Sequence, residues 1–260
     1  MGLEWTFDTV AADYEKYRPG YAAKLYERIF AYAPIGAESC VLEVGSGAGQ
    51  ATEPFLRTGC SLTAVEYGER FSAVLREKFG GFPKFSVITG KFEDTPLEET
   101  SFDLIFSATA FHWIPEKEGY EKVYALLKEG GAFARFANHP FRAADQPALG
   151  AEIDEIYDEF YNRRHGKERK AAAAYSEAQA KALSELPAKY GFRGLQYAMF
   201  YRDRVFSAKE YVGLLGTYSD HIAIEEPVRK RFFAKIEEAI NDHGGIITIR
   251  DTMDLQLARK

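Results

Sequence analysis

The stretch from Val41 to Gln50, Val-Leu-Glu-Val-Gly-Ser-Gly-Ala-Gly-Gln, constrains the fold more than any other part of the chain. Val41 to Val44, apolar except for Glu43, reads as a short buried strand. Gly45, Gly47 and Gly49 then clear the following turn of side chains, so its backbone can adopt unusual φ values and touch a ligand directly. Ala51 to Leu56 reads as a helix start, whose unpaired N–H groups and positive dipole end face the same ligand. Strand, glycine turn and helix N-terminus form a nucleotide-type binding unit. A tight turn without a ligand would account for one or two glycines, but not for three that alternate.

Spacing decides which nucleotide. The dinucleotide fingerprint places its third glycine three residues after the second, and position 50 is Gln. The pattern is therefore GxGxG, which argues against a nicotinamide-dependent oxidoreductase. With Glu43 ahead of it, Glu43-x-Gly45-x-Gly47-x-Gly49 resembles the first motif of the class I S-adenosylmethionine-dependent methyltransferases. Ser46 and Gln50 are the remaining turn residues that this resemblance assigns to the cofactor. It implies an α/β, Rossmann-like seven-stranded sheet, mostly parallel with an antiparallel last strand and helices on both faces. The implied reaction is methyl transfer from S-adenosylmethionine. A non-catalytic S-adenosylmethionine binder would carry the same motifs, and product formation alone separates the two.

A second strand, Ser61 to Glu66, ends in an acid close to the ~20-residue offset at which such folds place a carboxylate on ribose hydroxyls. Glu66 is the ribose candidate, and Tyr67 beside it could lie against adenine. Phe85 to Thr89 is a third strand. After it the family commonly has Gly-Asp-Ala, whereas this chain has Gly90-Lys91-Phe92. A lysine cannot accept from the adenine amine, so that contact falls to backbone atoms near Phe92 or to Glu93. Ser101 to Ala108 resembles the family's fourth strand, with Ala108 at the cofactor. The following Thr109-Ala110-Phe111-His112-Trp113 resembles the trans-aconitate type, in which a Trp follows at this distance.

Upstream, Tyr14, Tyr17, Arg18 and Pro19 precede a helix from Ala22 to Ala33. The segment resembles the N-terminal cover of small-molecule methyltransferases, which closes over the methionine end. Arg18, with donors that match a carboxylate bidentately, is the candidate for the methionine carboxylate, with Tyr17 beside it. Downstream, Tyr120 to Lys128 reads as a helix stopped by Gly130-Gly131, and Ala132 to Ala137 as the fifth strand. From 141 to 190 the alternation of strand and helix lapses into helical composition, read as a substrate cap inserted after the fifth strand. Leu195 to Phe206 is the sixth strand, Ser207 an N-cap for the next helix, and Ile246 to Leu257 the last strand. The expected organisation is one domain: cover 1–34, core 35–140 and 191–260, and cap 141–190.

No nucleophilic triad or metal cluster is evident, so the chemistry rests on alignment of acceptor, methyl carbon and sulfur. If the acceptor must lose a proton, His112, His139 and His221 are the candidate bases, with His112 and His221 preferred. Tyr14, Trp113 and Tyr218 are candidate contacts to the acceptor. The formal net charge of −6 offers no basic face to a phosphate backbone, and the Asn/Asp-Pro-Pro-aromatic motif of adenine-amino methyltransferases is absent. The expected partner is thus a small-molecule acceptor, with no nucleic acid and no membrane. Two cysteines, Cys40 and Cys60, in a chain without a signal peptide fit free thiols and a cytoplasmic setting.

Overall fold

The computed structural model describes residues 17, 18, 20–162 and 173–260. Tyr14 lies outside the described residues. The strands are β1 (Cys40–Val44), β2 (Ser61–Glu66), β3 (Phe85–Thr89), β4 (Phe102–Ala108), β5 (Leu127–Arg142), β6 (Arg193–Ser207) and β7 (Ile246–Arg259). They form one seven-stranded sheet in the order β3-β2-β1-β4-β5-β7-β6. β1 to β5 pair in parallel, and antiparallel pairing enters with the last strands. Strand order runs in opposite directions from β1 and β4, so the turn after β1 lies at a topological switch point, where open α/β sheets bind ligands.

Residues on each central strand alternate between two buried clusters, as the period of two requires. Val41, Leu104, Phe106, Ala134 and Phe136 join one cluster with Leu25, Ile29 and Phe55. Leu42, Val44, Ile105 and Phe133 join the other with Tyr120 and Val123. A parallel sheet needs both faces covered. The helices that do this are α1 (Ala23–Tyr32), α2 (Thr52–Leu56) and α3 (Glu69–Phe79) for the first cluster, and α4 (Glu116–Leu126) for the second.

The chain divides into two compact units. The sheet unit comprises Pro19–His139, Tyr175–Phe200 and Met253–Lys260, including α6 (Glu177–Glu185). The helical unit comprises Pro140–Ala174 and Tyr201–Thr252, with Tyr17 and Arg18, as far as these are described. It holds α5 (Pro147–Tyr157), a π turn (Asp158–Asn162), α7 (Ala208–Leu215), α8 (Ser219–Ile222) and α9 (Glu226–Asp242). This division differs from a cap confined to 141–190. The apolar stripe Val228, Phe232, Ile236 and Ile240 of α9 is buried with Leu149, Ile153 and Phe160, so packing recruits helices from far along the chain. Ser207 caps α7 reciprocally with Glu210, as its sequence position implies.

Candidate active site

The glycine turn needs glycine for two separate reasons. Gly45, Gly47 and Gly49 have φ of 73°, 55° and 79°, the left-handed region that side chains disfavour. Space is closed as well. A Cβ on Gly45 would stand 2.4 Å from the Ala110 Cβ, and one on Gly49 would stand 2.4 Å from the Phe79 ring. The turn is fixed to its neighbours by Gly45 N–H donating to the Val65 carbonyl at 2.9 Å. Ser107 Oγ donates to the Val44 carbonyl at 2.8 Å.

Two carboxylates organise this turn. Glu66, at the end of β2, accepts from the Gly47 N–H at 2.7 Å and from the Gly68 N–H at 2.9 Å. Glu43 is fully buried and accepts from Thr52 Oγ1 at 2.7 Å, which ties β1 to the first residue of α2. Burial pushes the Glu43 carboxyl up to about 8, with the Thr52 hydrogen bond and the nearby Ser46 hydroxyl opposing the rise and the Glu66 charge adding to it. At neutral pH Glu43 is therefore the neutral acid. Its Oε1, together with Ser46 Oγ and Gln50 Nε2, is buried without a hydrogen-bond partner. Buried polar atoms in folded proteins are normally paired, so three orphans around one turn mark the place where a ligand supplies the partners.

Next to Glu66, the Tyr67 ring is 47% exposed, with Lys91 Nζ 5.7 Å from its centroid. An exposed aromatic face beside the ribose candidate suits a stacked base. Phe92 is buried, and the Phe92 and Glu93 carbonyls already accept from Lys122 Nζ at 2.6 and 3.0 Å. Lys122 lies on α4, and no local pattern in the sequence points to it. Burial lowers its pKa, against the pull of Asp94 and Glu93.

At the end of β4, Thr109 adopts φ of 54°, a strained value for a β-branched residue. Its Oγ1 shares a 2.7 Å hydrogen bond with the Tyr21 hydroxyl and accepts from the Asn138 N–H at 3.2 Å. His112 and Trp113 follow in a short 3-10 turn, their rings 5.0 Å apart, with Trp113 42% exposed. Partial desolvation, then the charges of Arg135 and His139, hold His112 below the usual imidazole pKa. A neutral imidazole is the form that can accept a proton.

Tyr17, Arg18, Tyr218 and His221 belong to the helical unit, not to the unit of the glycine turn. Arg18 donates through Nε to Thr217 Oγ1 at 2.9 Å and through Nη2 to the Thr217 carbonyl at 3.2 Å. Its guanidinium lies 4.3 Å from the Tyr218 ring centroid. Tyr17 packs on Gly213, where a Cβ would fall 2.5 Å from its ring. His221 is buried, with Nδ1 2.8 Å from Asp220 and Nε2 2.9 Å from the Tyr157 hydroxyl. Both ring nitrogens are thus engaged within the helical unit. The residues absent from the sequence reading are Thr52 and Asp254, the buried partners of Glu43 and His139. Asp254 and Gln256 alternate with Met253, Leu255 and Leu257 in β7, a pattern that would have flagged them.

The comparisons with known proteins bear on this geometry. A family model described as a methyltransferase domain matches residues 42–134, all within the sheet unit. A methyltransferase of Geobacillus sp. is 34% identical over 163 residues, 60% of this chain and 73% of its own length. The chain belongs to the class I S-adenosylmethionine-dependent methyltransferases. A methyltransferase-like protein of Schizosaccharomyces pombe extends the likeness, at 28% identity over 90% of this methyltransferase and 85% of its own length. In fold it is similar to Haemonchus contortus phosphoethanolamine N-methyltransferase 2, solved with phosphomonomethylethanolamine and S-adenosylhomocysteine. That likeness has a TM-score of 0.59 and 13% identity, over 100% of this chain and 60% of that one.

The methyltransferase takes S-adenosylmethionine as cofactor, and its turn fits that molecule. The orphaned Glu43, Ser46 and Gln50 atoms offer polar partners, and the exposed Tyr67 face beside the Glu66 carboxylate suits a base. Among the described residues no His, Cys, Asp or Glu group is arranged to hold a metal, and no helix is long and apolar enough to cross a membrane. Cys40 and Cys60 are free thiols.

Proposed function

We propose that the enzyme transfers the methyl group of S-adenosylmethionine in line to a small-molecule acceptor. Bound S-adenosylmethionine supplies a methyl group on a sulfonium, reactive without further activation, so the protein's work is positioning. Glu66 would hold the ribose hydroxyls, the backbone of Gly45 to Gly49 with Ser46 and Gln50 the remainder of the cofactor's polar surface, and Tyr67 the adenine face. The adenine amine would fall to the Glu93 carboxylate or to backbone at Phe92, with Ala108 closing the floor. Arg18, held by Thr217 and Tyr218 with Tyr17 next to it in the chain, would offer its guanidinium to a carboxylate. Trp113 and Tyr218 would be acceptor contacts, with the His112 ring beside Trp113.

The observation that carries the reading is the set of three orphaned buried atoms around the left-handed glycine turn. The small-molecule part is supported by the net charge of −6 and by the missing Asn/Asp-Pro-Pro-aromatic motif. We assign acceptor choice to the helical unit, because the residues shared with the family model all fall in the other one. The test is incubation with S-adenosylmethionine carrying a labelled methyl, in parallel with a metabolite extract, DNA and RNA. Label concentrated in the small-molecule fraction is expected. Greater incorporation into nucleic acid overturns the reading.

A further inference from the structure

One polar cluster of the sheet unit is not used by the cofactor. At the end of β5, His139 Nε2 lies 3.0 Å from Asp254 Oδ1, and the Asp254 side chain is 1% exposed. The same carboxylate accepts from the Ala137 N–H at 3.1 Å, from the Tyr175 hydroxyl at 2.9 Å and from the Gln256 amide. Burial would raise the Asp254 pKa, but the hydrogen bonds and charge of His139, with Gln256 and Tyr175, hold it below the usual carboxylate range. Asp254 is thus an acceptor only, so Nε2 carries the hydrogen and the neutral ring presents its lone pair at Nδ1. The Tyr175 ring stacks on the imidazole at 3.7 Å and 4°, which fixes the plane of that lone pair.

The surroundings are short of partners. Asn138 Oδ1 beside His139, and Gln256 Oε1 behind Asp254, are both buried with no hydrogen-bond partner. Asn138 also donates its N–H to Thr109, the strained residue ending β4. The end of β5 therefore joins a fixed imidazole to two unmet polar atoms, the signature of a site that a polar ligand completes.

We propose that His139 is the general base that takes the acceptor's proton, for an acceptor reacting through an O–H or N–H group. This rests on the small-molecule reading and deepens it. The acceptor's lone pair forms the new bond to carbon, the carbon–sulfur pair returns to sulfur, and the acceptor's proton passes to Nδ1. Asp254 offsets the resulting imidazolium, and the proton leaves to solvent. Of the other charged or titratable groups nearby, His112 interacts with His139, and Arg135 with His112 and Tyr175. Asp254 and Tyr175 are positioning residues.

The experiment reads the ring first and turnover second. Long-range proton–nitrogen spectra of the histidine-labelled enzyme, with His139→Gln for assignment, give the neutral tautomer of His139 across a pH series. Hydrogen on Nε2 and a bare Nδ1 are expected, with Asp254→Asn or Tyr175→Phe moving the titration. In parallel, labelled methyl incorporation is followed for the parent and His139→Gln, with S-adenosylhomocysteine affinity by calorimetry. His139→Gln should bind S-adenosylhomocysteine as the parent does and lose incorporation by ~10²–10⁴-fold. Hydrogen on Nδ1 in the parent, or full incorporation by His139→Gln, overturns the proposal. Label appearing in nucleic acid refutes the small-molecule reading instead. The role of His139 is then judged by its tautomer and by the variant's loss in whichever fraction takes the label.

Discussion

The glycine turn of the sheet unit and the polar interior of the helical unit both bury charged or hydrogen-bonding groups, and they treat them oppositely. Around the turn, Glu43 Oε1, Ser46 Oγ and Gln50 Nε2 have no partner. In the helical unit, Asp251 is fully buried and accepts two hydrogen bonds from Arg202 and two from Arg204. His221 likewise spends both ring nitrogens on Asp220 and Tyr157. A polar group that is buried and satisfied contributes to the fold, whereas one left unsatisfied costs about 1–3 kcal/mol until something fills it. The difference separates residues kept for architecture from residues kept for a ligand, even where both are conspicuous in the sequence.

The largest effect expected comes from the satisfied side. Asp251→Asn removes a charge that offsets the Arg202 and Arg204 guanidiniums while keeping the side chain's shape. Breaking a buried ion pair by removing a partner costs ~3–5 kcal/mol. Arg202 and Arg204 keep 33% and 17% side-chain exposure, so solvent relieves part of this and the lower end is expected. Urea unfolding should show the loss, with calorimetric affinity of the folded fraction for S-adenosylhomocysteine unchanged. Glu66→Ala should do the reverse. Losing a carboxylate that accepts from hydroxyls costs ~1.5–3 kcal/mol, or about ten- to a hundredfold in affinity, with a smaller loss of stability than in Asp251→Asn as the Gly47 and Gly68 N–H groups lose their acceptor. An affinity loss in Asp251→Asn as large as that in Glu66→Ala breaks the comparison.

How much of this was legible follows from how local each signal is. β2 and β3 occur with the bounds that the sequence implies, Ser61–Glu66 and Phe85–Thr89, because short apolar runs closed by an acid or glycine punctuate themselves. β5 begins at Leu127 and not at Ala132. Gly130 and Gly131, read as a helix stop, lie inside the strand, where the register shifts between Phe102 and Leu104 and Gly130 takes φ of 76°. A bulge and a helix stop call for the same residue, and only the partner strand tells them apart. The glycine turn was legible because its residues are adjacent. The bonds from Thr52 to Glu43, Asp254 to His139 and Lys122 to Phe92 were not, since each joins residues that the sheet brings together. The helical unit was half legible: its helices show in composition, but the union of 140–174 with 201–252 is a product of packing.

Glu43 gives the smallest effect at acidic pH and the sharpest comparison with Asp251, since both are fully buried acids. Asp251 is matched by the Arg202 and Arg204 cations, whereas Glu43 faces the Glu66 carboxylate and the Thr52 and Ser46 hydroxyls. Its folded-state pKa of about 8 lies above the ordinary 4.5, so between these values the native state holds a proton that the unfolded chain has released. Stability linked to this group is then fully present below the unfolded pKa and is lost as pH rises through the folded one. Glu43→Gln places a neutral group of the same shape in the same pocket, still able to accept from Thr52. Below the unfolded pKa its unfolding midpoint should match the parent's to within a few degrees. As pH rises from about 5 to about 8 the parent should weaken with each step while the variant does not, apart from the slope both share, and above about pH 8 the two should run parallel. Thermal unfolding of the two proteins at pH 5, 6, 7, 8 and 9 measures that difference directly. Parallel curves from pH 5 to 8 would mean that Glu43 is already ionised at neutral pH, and that the turn stores a charge and not a proton.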